Sequence, residues 1–351
     1  MASASGSTKS SLQSLLTQLD EIERGPGGGV LTFPGGRLEV SNLGKTFWPS
    51  PGGSKKTRPT QSGSRPGPGP GALTKGDLFR HYVRVAPMIL PVLADRPLVM
   101  KRFPDGITGP PFYQHRAPDK VPDGVRIERV ATGTETRPHL VGGALATLLY
   151  TAQLGSISQD PWFSRVPSPG VIDHVAIDLD PPDGLPYARV LDVARWVRDV
   201  LDALKATGFA KTSGAGGLHV YVPMAAGTTY ESGLLFAQIV ATTVAEQHPK
   251  EATVERSIKA RGRRIYVDYM QNGLGKTLAS AYSARASAFA GVSAPITWEE
   301  VEDGVEPQDF TVATFAQRIK EAGDPWAGLR KAKGPDLKTL LTAKVAKNTK
   351  K

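Results

Sequence analysis

The stretch "HVAIDLD", which ends at Asp180, constrains the fold more than any other part of the sequence. Its side chains alternate. In a β-strand, successive side chains point to opposite faces. Val175, Ile177 and Leu179 therefore lie on one face, and Asp178 and Asp180 lie on the other. The apolar face belongs against a core, so we expect a sheet with one buried face. The two carboxylates then stand on the opposite face with their backbones about 7 Å apart.

A pair of carboxylates so placed predicts a cation site. Like charges raise each other's pKa, and hard divalent cations such as Mg²⁺ or Mn²⁺ relieve this because they prefer oxygen ligands. The later strand "RRIYVDYM" carries Asp268 on the face opposite its apolar residues, so Asp178, Asp180 and Asp268 are candidate ligands of a two-metal phosphoryl-transfer site. A purely structural role for acids at strand ends remains the alternative.

A glycine-rich turn, "KTSGAGG", precedes the strand that contains His219. Glycines allow backbone N–H groups to approach a phosphate closely, and the hydroxyl of Ser213 adds a donor. We therefore interpret the turn as a triphosphate site with His219 beside it. A structural histidine and an ordinary turn are the alternative interpretation.

Cations and a pair of adjacent aromatic residues complete the pattern. Arg261 and Arg285 flank the Asp268 strand, and arginine suits bidentate phosphate contacts. The segment "GPPFYQH" places Phe112 and Tyr113 side by side, as a stacking platform for an unpaired base requires. A solvated basic face and core aromatics are the respective alternatives.

The charge balance favours a polyanionic partner. The formal net charge is +10 with a pI near 9.6, which is typical of nucleic-acid-binding proteins, although solubility alone also explains it. Cysteine is absent, which excludes disulfides and thiolate metal sites and fits a reducing cytoplasm. The N-terminus lacks the apolar region of a signal peptide; its leucines at helical spacing predict an amphipathic helix instead. These leucines are Leu12, Leu15, Leu16 and Leu19.

Strands and helices alternate along the chain, so we predict an α+β (α/β-type) fold with mixed or antiparallel sheets flanked by helices. The predicted strands include "PLVMKRF", "HVAIDLD", "GLHVYVPM" and "RRIYVDYM"; the predicted helices include "YARVLDVARWVRDVLDALKATG", ended by Gly208, and "YESGLLFAQIVATTVAEQH". A buried helix is expected in "LVGGALATLLYTAQLGSISQ", which has too many small polar residues for a membrane span.

Three regions are expected. An N-terminal helix and lead occupy residues 1–29, a single catalytic domain residues 30–332, and a basic tail residues 333–351. Within the domain, residues 51–71 are rich in Gly, Pro, Ser and cations and read as a loop without a packed core. Its cations, which could touch a phosphate backbone, are Lys55, Lys56, Arg58 and Arg65.

The blocks "HVAIDLDPPDG", "KTSGAGGLHVYVPM" and "RRIYVDYMQN" with "AYSARA", in this order, resemble the polymerase domain of bacterial ligase D, which belongs to the archaeo-eukaryotic primase superfamily. The resemblance extends from "NLGKTFWP" to "DPWAGL". It implies a primase-polymerase core and a template-directed nucleotidyltransferase that uses Mn²⁺ or Mg²⁺ and takes rNTP or dNTP.

The resemblance also implies individual roles. Asp178, Asp180 and Asp268 match the catalytic, metal-binding aspartates. The implied nucleotide-binding residues are Ser213, Gly214, His219, Arg261, Gln271 and Arg285. The implied DNA-binding residues are Lys45, Lys75, Phe112 and Tyr113. The two lysines match those that hold the 5′-phosphate beyond a gap or break, and the aromatic pair matches the one that packs on the template.

The sequence departs from the family pattern at several places. The family turn reads Ser-Gly-x-Lys-Gly-Leu-His, whereas Gly216 stands at the lysine position here. A family histidine shortly before a tryptophan is missing in "ISQDPW", where Gln159 and Asp160 stand. Residues 51–71 lengthen one loop, and the ligase motif Lys-x-Asp-Gly is absent, so we expect a stand-alone paralogue that needs a separate DNA ligase.

The hypothesis is a bacterial primase-polymerase that fills short gaps in DNA, recognises a downstream 5′-phosphate and works at the nucleoid. Break joining, excision repair and priming all need this chemistry. Two other classes remain open. One is a different metal-dependent phosphoryl-transfer enzyme, such as a nuclease or nucleotidyl cyclase; the other is a non-catalytic DNA-end-binding factor.

Overall fold

The structure, a computed structural model, describes residues 2–50, 71–132, 135–335 and 337. The predicted loop 51–71, with the cations singled out in it, lies outside these residues except for Gly71. Most of the predicted tail 333–351 also lies outside them. The division of the chain into three regions stays a prediction.

Helices and strands alternate, and the predicted α+β class is confirmed. The helices are α1 Ala2–Arg24, α2 Lys75–Leu93, α3 Leu145–Gln153, α4 Tyr187–Ala203, α5 Tyr230–Gln247, α6 Ile258–Arg261, α7 Trp298–Asp303 and α8 Phe315–Ala322. The strands are β1 Gly29–Phe33, β2 Gly36–Val40, β3 Thr46–Trp48, β4 Leu73–Thr74, β5 Leu98–Arg102, β6 Phe112–Gln114, β7 Arg126–Thr132, β8 Glu135–Val141, β9 Asp160–Pro161, β10 Ser164–Arg165, β11 Ser168–Ile172, β12 His174–Asp180, β13 Phe209–Thr212, β14 Leu218–Pro223, β15 Ala252–Thr253 and β16 Ile265–Asp268.

A five-stranded sheet in the order β13-β14-β12-β16-β15 forms the centre of the molecule. Strand β12 lies in the middle and pairs antiparallel with both β14 and β16, while β15 and β16 pair in parallel. The apolar face predicted for β12 is buried: Val175, Ile177 and Leu179 join the main core, against which α4 and α5 pack. Burial of this face leaves the other face of β12 to carry its acids.

Helix α4 confirms the predicted apolar stripe but ends earlier than predicted. Val190, Val197 and Leu201 are buried, yet the helix ends at Ala203 rather than at Gly208. Lys205 has φ of 55°, the left-handed conformation that usually ends a helix at glycine. A lysine in this role carries no sequence signal, which is why the boundary was missed.

The N-terminal helix α1 packs on α2 and shares the main core. Leu15 and Leu19 are fully buried within it. On the rim, Arg80 of α2 forms an ion pair with Asp20 at 2.7 Å and another with Glu23. None of the helices among the described residues combines the length and apolar character needed to span a bilayer.

A second, three-stranded sheet has the order β6-β5-β9 and contributes residues to the candidate site described below. The side chains of β5 alternate, with Leu98 and Met100 in the main core. Val99 and Lys101 therefore point to the opposite face. The register sets Lys101 opposite Tyr113 and Val99 opposite Asp160.

Candidate active site

Four side chains form a row across the central sheet. Lys211 lies opposite His219, His219 opposite Asp178, and Asp178 opposite Asp268. Because directly opposite residues project from the same face of an antiparallel sheet, all four share the face opposite to Val175, Ile177 and Leu179. Asp180, two residues along β12, projects from this face as well. The structure therefore brings the three predicted catalytic aspartates onto one surface.

Hydrogen bonds connect the row. Lys211 Nζ lies 2.7 Å from His219 Nδ1, and His219 Nε2 lies 3.3 Å from Asp178 Oδ1. Because the lysine donates, Nδ1 accepts and Nε2 carries the proton that is donated to Asp178. Burial and the neighbouring Lys211 lower the pKa of His219 to about 4, against the opposing effect of Asp178, so the imidazole is neutral at pH 7.

The buried charges at this end of the row compensate one another. Burial lowers the pKa of Lys211 well below its usual value, and Arg285 acts in the same direction, opposed by Asp178 and Asp160. Burial alone would raise the pKa of Asp178, but the bonded His219 and the charges of Lys211 and Arg285 outweigh it and lower the value. Asp178 is therefore held as a carboxylate.

Asp180 lies in a different electrostatic setting. Burial and its proximity to Asp178 and Asp268 raise its pKa, and Arg261 opposes this shift with its Nη1 at 3.4 Å from Oδ2. The guanidinium of Arg261 lies over the ring of Tyr266, 3.7 Å from the centroid. Arg261 is thus bonded to Asp180, and its predicted contact with the incoming nucleotide stays a prediction.

Asp268 accepts hydrogen bonds on both oxygens. Gln271 Nε2 donates to Oδ2 at 2.9 Å, while Tyr266 and the backbone N–H of Met270 donate to Oδ1 at 3.2 and 2.7 Å. The predicted nucleotide contact Gln271 is therefore placed beside the acid, where it orients the carboxylate.

The chemistry of the three acids fits a hard divalent cation. All the donors are carboxylate oxygens, and the mutual repulsion that raises the pKa of Asp180 would be relieved by a bound cation. Among the described residues, however, no three acidic or histidine side chains converge closely enough to form a coordination sphere. Each carboxylate is instead bonded to a neighbour, as described above for His219, Arg261 and Gln271.

The glycine-rich turn is held by Ser213. Its Oγ accepts hydrogen bonds from the backbone N–H groups of Ala215 and Gly217 at 3.1 and 3.0 Å, and its own N–H donates to Gly217 O at 2.9 Å. Gly214 has φ of +75°, and a Cβ there would overlap Arg285 Cγ. The turn therefore requires glycine at 214 and uses the Ser213 hydroxyl oxygen to keep its shape.

Gly216, by contrast, has space around it. The nearest atom to a Cβ built there is Pro181 Cγ at 3.9 Å, and its φ lies outside the left-handed region. Among the described residues, the N–H groups of Gly214 and Gly216 have no hydrogen-bond acceptor. Gly216 is exposed, so its amide is available to a bound anion.

Arg285 borders the turn directly. Its Nη1 donates to Ser213 O at 2.8 Å, and its own carbonyl accepts from Trp48 Nε1 at 3.1 Å. The guanidinium is thus fixed beside the glycine-rich turn. Its role as a triphosphate contact stays a prediction.

The aromatic pair lies exposed on strand β6 of the three-stranded sheet. Phe112 and Tyr113 are 45% and 62% exposed, so neither is a core residue. Arg102 lies over the Phe112 ring at 5.1 Å and Lys101 over the Tyr113 ring at 5.4 Å. Two cations therefore support two exposed rings.

Lys45 and Lys75 come together although they are distant in sequence. Strands β3 and β4 pair, and the N–H of Lys75 donates to Lys45 O at 2.8 Å. Lys45 Nζ lies 2.6 Å from Asp105, and Lys75 Nζ donates to Ser41 O at 3.1 Å. Burial lowers the pKa of Lys75 to about 8, with further lowering by Lys45 and Arg102.

A cleft of about 400 Å³ lies between the central sheet and the three-stranded sheet. Predicted site residues that line it are Tyr113, Asp178, Asp180, Ser213, His219 and Arg285. It is also lined by Lys101, Ser158 and Asp160. A cavity of about 540 Å³ beside β2 contains none of the predicted site residues.

Two features of this cleft escaped sequence reasoning. Lys211 is fully buried, and its place at the start of "KTSG" gives no sign that it bonds to His219. Asp160 was noticed only as a departure from the family pattern. Both positions follow from cross-strand register, which the pattern of single strands does not give.

The comparisons with known proteins agree with this geometry. The sequence matches the family described as "LigD, primase-polymerase domain" over residues 74–326. The chain belongs to this family. The match includes every predicted site residue except Lys45. The resemblance inferred from the three motifs is confirmed, and the chain is classed with the nucleotidyltransferases of this family.

The relatives are larger proteins. The bifunctional non-homologous end joining protein LigD of Bacillus subtilis is 31% identical over 254 residues, which are 72% of this chain and 41% of that protein. The multifunctional LigD of Pseudomonas aeruginosa is 32% identical over 257 residues, 72% of this chain and 30% of that protein. The chain thus spans less than half of either relative.

A solved structure has the same fold. The polymerase domain of Mycobacterium tuberculosis ligase D in complex with DNA superposes with a TM-score of 0.73 at 26% identity, covering 85% of this chain and 99% of that one. The likeness confirms the fold.

Proposed function

We propose that this chain is a template-directed primase-polymerase that fills short gaps in DNA with dNTP or rNTP. The observation that carries the proposal is the cleft itself. On one side it exposes Asp178 and Asp180, and beside them lie the glycine-rich turn and Arg285. Acids and an anion site in one cleft suit transfer of a nucleotidyl group from a triphosphate.

The phosphate end of the cleft is defined by its free donors. The N–H of Gly216 and the guanidinium of Arg285 would bind the triphosphate, because both residues line the cleft beside the turn that Ser213 holds. Position 216, a lysine in the family turn, is glycine here. Arg285 is therefore proposed as the main positive charge at the phosphate end of the cleft.

Asp178, Asp180 and Asp268 would hold Mg²⁺ or Mn²⁺. When bound, such ions lower the pKa of an attacking hydroxyl and stabilise a departing pyrophosphate. His219 would keep Asp178 oriented, and Gln271 would do the same for Asp268.

The DNA would contact two separate features. Phe112 and Tyr113 would stack on template bases, since both rings are exposed and backed by cations. Lys45 and Lys75 would bind the 5′-phosphate on the far side of the gap. The net charge of +10 supports a polyanionic partner in general.

The relatives are named for non-homologous end joining, and we propose that this chain acts in break joining or excision-repair gap filling, at the bacterial nucleoid and with a separate DNA ligase. Gap length and ligase contact would decide between these pathways.

The test is extension of a primer on DNA with gaps of one to several nucleotides, comparing rNTP with dNTP and Mn²⁺ with Mg²⁺. Extension by the unmodified protein is expected, and Asp178→Ala with Asp180→Ala is expected to abolish it while DNA binding persists. The matched control removes two exposed acids from α4, Asp199→Ala with Asp202→Ala, and should extend normally.

Other outcomes identify the rival classes. Cleavage of the primer or template without extension would identify a nuclease. Binding of gapped DNA without extension under either metal would leave the non-catalytic DNA-end binder and reject the proposal.

A further inference from the structure

Strand β16 covers only part of the edge of β12 with which it pairs. Its partners on β12 are Asp178, Leu179 and Asp180, and β16 ends at Asp268, opposite Asp178. Alternate residues of a strand turn their N–H and C=O groups to the same edge, so the backbone of Ala176 faces the space beyond the end of β16. Two backbone groups of a fully buried residue therefore need partners that β16 does not supply.

The side chain of Asn272 supplies both partners. Its Oδ1 accepts a hydrogen bond from the N–H of Ala176 at 2.8 Å, and its Nδ2 donates to the carbonyl of Ala176, also at 2.8 Å. The amide thus makes the pair of hydrogen bonds that a residue of a neighbouring antiparallel strand would make. Nδ2 also donates to Tyr269 O at 2.7 Å, and Asn272 is fully buried. Asn272 therefore continues the pairing of β12 beyond the end of β16.

Asn272 ends a short 3₁₀ helix whose first two residues hold Asp268. The N–H of Met270 donates to one carboxylate oxygen of Asp268, and Nε2 of Gln271 donates to the other. Both donors thus come from the helix that Asn272 attaches to β12. The place of the Asp268 carboxylate relative to Asp178 therefore depends on this attachment as well as on the pairing of the two strands.

We propose that Asn272 is a positioning residue, which replaces a strand residue beside Ala176 and thereby fixes the carboxylate of Asp268 relative to Asp178. This inference rests on the proposed function, in which these acids hold Mg²⁺ or Mn²⁺. Asn272 is fully buried and acts only through Asp268. Replacing an outer-shell group that orients a metal ligand commonly weakens metal binding about tenfold to a hundredfold.

The alternative is that Asn272 only satisfies two buried backbone groups. Its replacement would then reduce the amount of folded protein but leave the acids of the folded molecules in place. Loss of folded protein lowers the number of metal sites in a sample and leaves their dissociation constant unchanged. The dissociation constant for the metal therefore separates a positioning role from a structural one.

The test is titration of the full chain with Mn²⁺ alone, in which electron paramagnetic resonance measures the free ion. Asn272→Ala removes the amide and should raise the dissociation constant about tenfold to a hundredfold. Asn272→Ser keeps one hydroxyl, which can bond one of the two backbone groups of Ala176, and should give a smaller rise. The serine variant also keeps the proposal testable if the alanine variant does not fold.

Thr228→Val is the matched control. Thr228 is buried, and its Oγ1 donates to Ala225 O at 2.7 Å in the loop between β14 and α5. This loop leaves β14 at Pro223, whereas the catalytic row crosses β14 at His219. The control should lower the melting temperature, because it too removes a buried hydrogen bond, and should leave the dissociation constant unchanged.

Two results overturn the proposal. One is an unchanged dissociation constant in both Asn272 variants, and the other is an equal rise in Thr228→Val. Primer extension on the same preparations separates this inference from the proposed function. A raised constant in Asn272→Ala, with no extension by the unmodified protein, supports the positioning role and rejects the polymerase. Extension by the unmodified protein, with an unchanged constant in both Asn272 variants, rejects the positioning role alone.

Discussion

Lys211 Nζ donates a hydrogen bond of 2.7 Å to Nδ1 of His219 in the interior of the protein. The bond fixes which imidazole nitrogen carries the proton, and Nε2 is thereby turned to Asp178 as a donor. Lys211 also donates to Ser293 Oγ at 2.6 Å, which fixes the ammonium group itself. A buried lysine thus orients the carboxylate of Asp178, a proposed catalytic residue, through His219.

Replacing Lys211 by methionine is expected to lower kcat about tenfold to a hundredfold, as loss of an outer-shell partner commonly does. The free energy of unfolding should fall by about 1–3 kcal/mol, because methionine leaves the buried Nδ1 of His219 without its donor. Primer extension and thermal unfolding measure the two effects. Lys320→Met, at an exposed lysine of α8, is the control. Full activity with altered stability would show that Lys211 is only structural.

Gly214→Ala and Gly216→Ala should behave oppositely. A methyl group at 214 requires a left-handed backbone and overlaps Arg285, so we expect destabilisation by about 1–3 kcal/mol and weaker nucleotide binding. At 216 the nearest atom lies 3.9 Å away, so alanine should be tolerated within about 0.5 kcal/mol. Chemical denaturation and nucleotide titration test the pair. Equal effects at both positions would contradict the geometry.

Lys45→Gln and Lys75→Gln should each reduce the preference for gaps that bear a 5′-phosphate over gaps that lack it. The expected loss is about tenfold for each, since each removes one charge-assisted hydrogen bond. Gel-shift titration on the two DNAs gives the ratio. Lys250→Gln, an exposed lysine after α5, should leave it unchanged. An undiminished ratio in both lysine variants would reject the phosphate site.

The preference for gaps that bear a 5′-phosphate should also depend on pH. The pKa of Lys75 is lowered to about 8 by burial and by Lys45 and Arg102, so its charge is present below that pH and is lost as the pH rises through it. The ratio should therefore be high at pH 7 and fall between pH 8 and 9. Lys75→Arg stays charged and should remove this fall. A flat profile in the unmodified protein would contradict the assignment.

The lowered pKa of Lys75 also makes the free energy of unfolding depend on pH. Between about pH 8 and the model-compound value of 10.5 the unfolded chain binds more protons at this residue than the folded chain does. The free energy of unfolding should therefore rise with pH in that window.

Alternation and helical spacing predicted the main strands and helices, because each is a property of one continuous segment. The burial of Ile177 on one face of β12 and of Val197 in α4 follows from sequence alone. The end of α4 at Ala203 does not, because it depends on Lys205 adopting a conformation that lysine rarely takes.

The candidate site was predicted in its composition but not in its connections. The acids and the turn were found, whereas the bonds of His219 to Lys211 and of Gln271 to Asp268 depend on how strands align across the sheet. Asp160 enters the cleft only because β9 pairs with β5. Register of this kind is set by tertiary packing.

The central position of β12 also governs which parts of the site can move. Its backbone is paired on both edges, with β14 and with β16. Amides in such a strand exchange with solvent only when most of the domain opens. Arg261 lies instead on the four-residue helix α6, outside the sheet. Under the proposed function, adjustments during a reaction cycle would belong to the surrounding side chains and short segments, while the acids would remain a fixed reference to which substrate and DNA align.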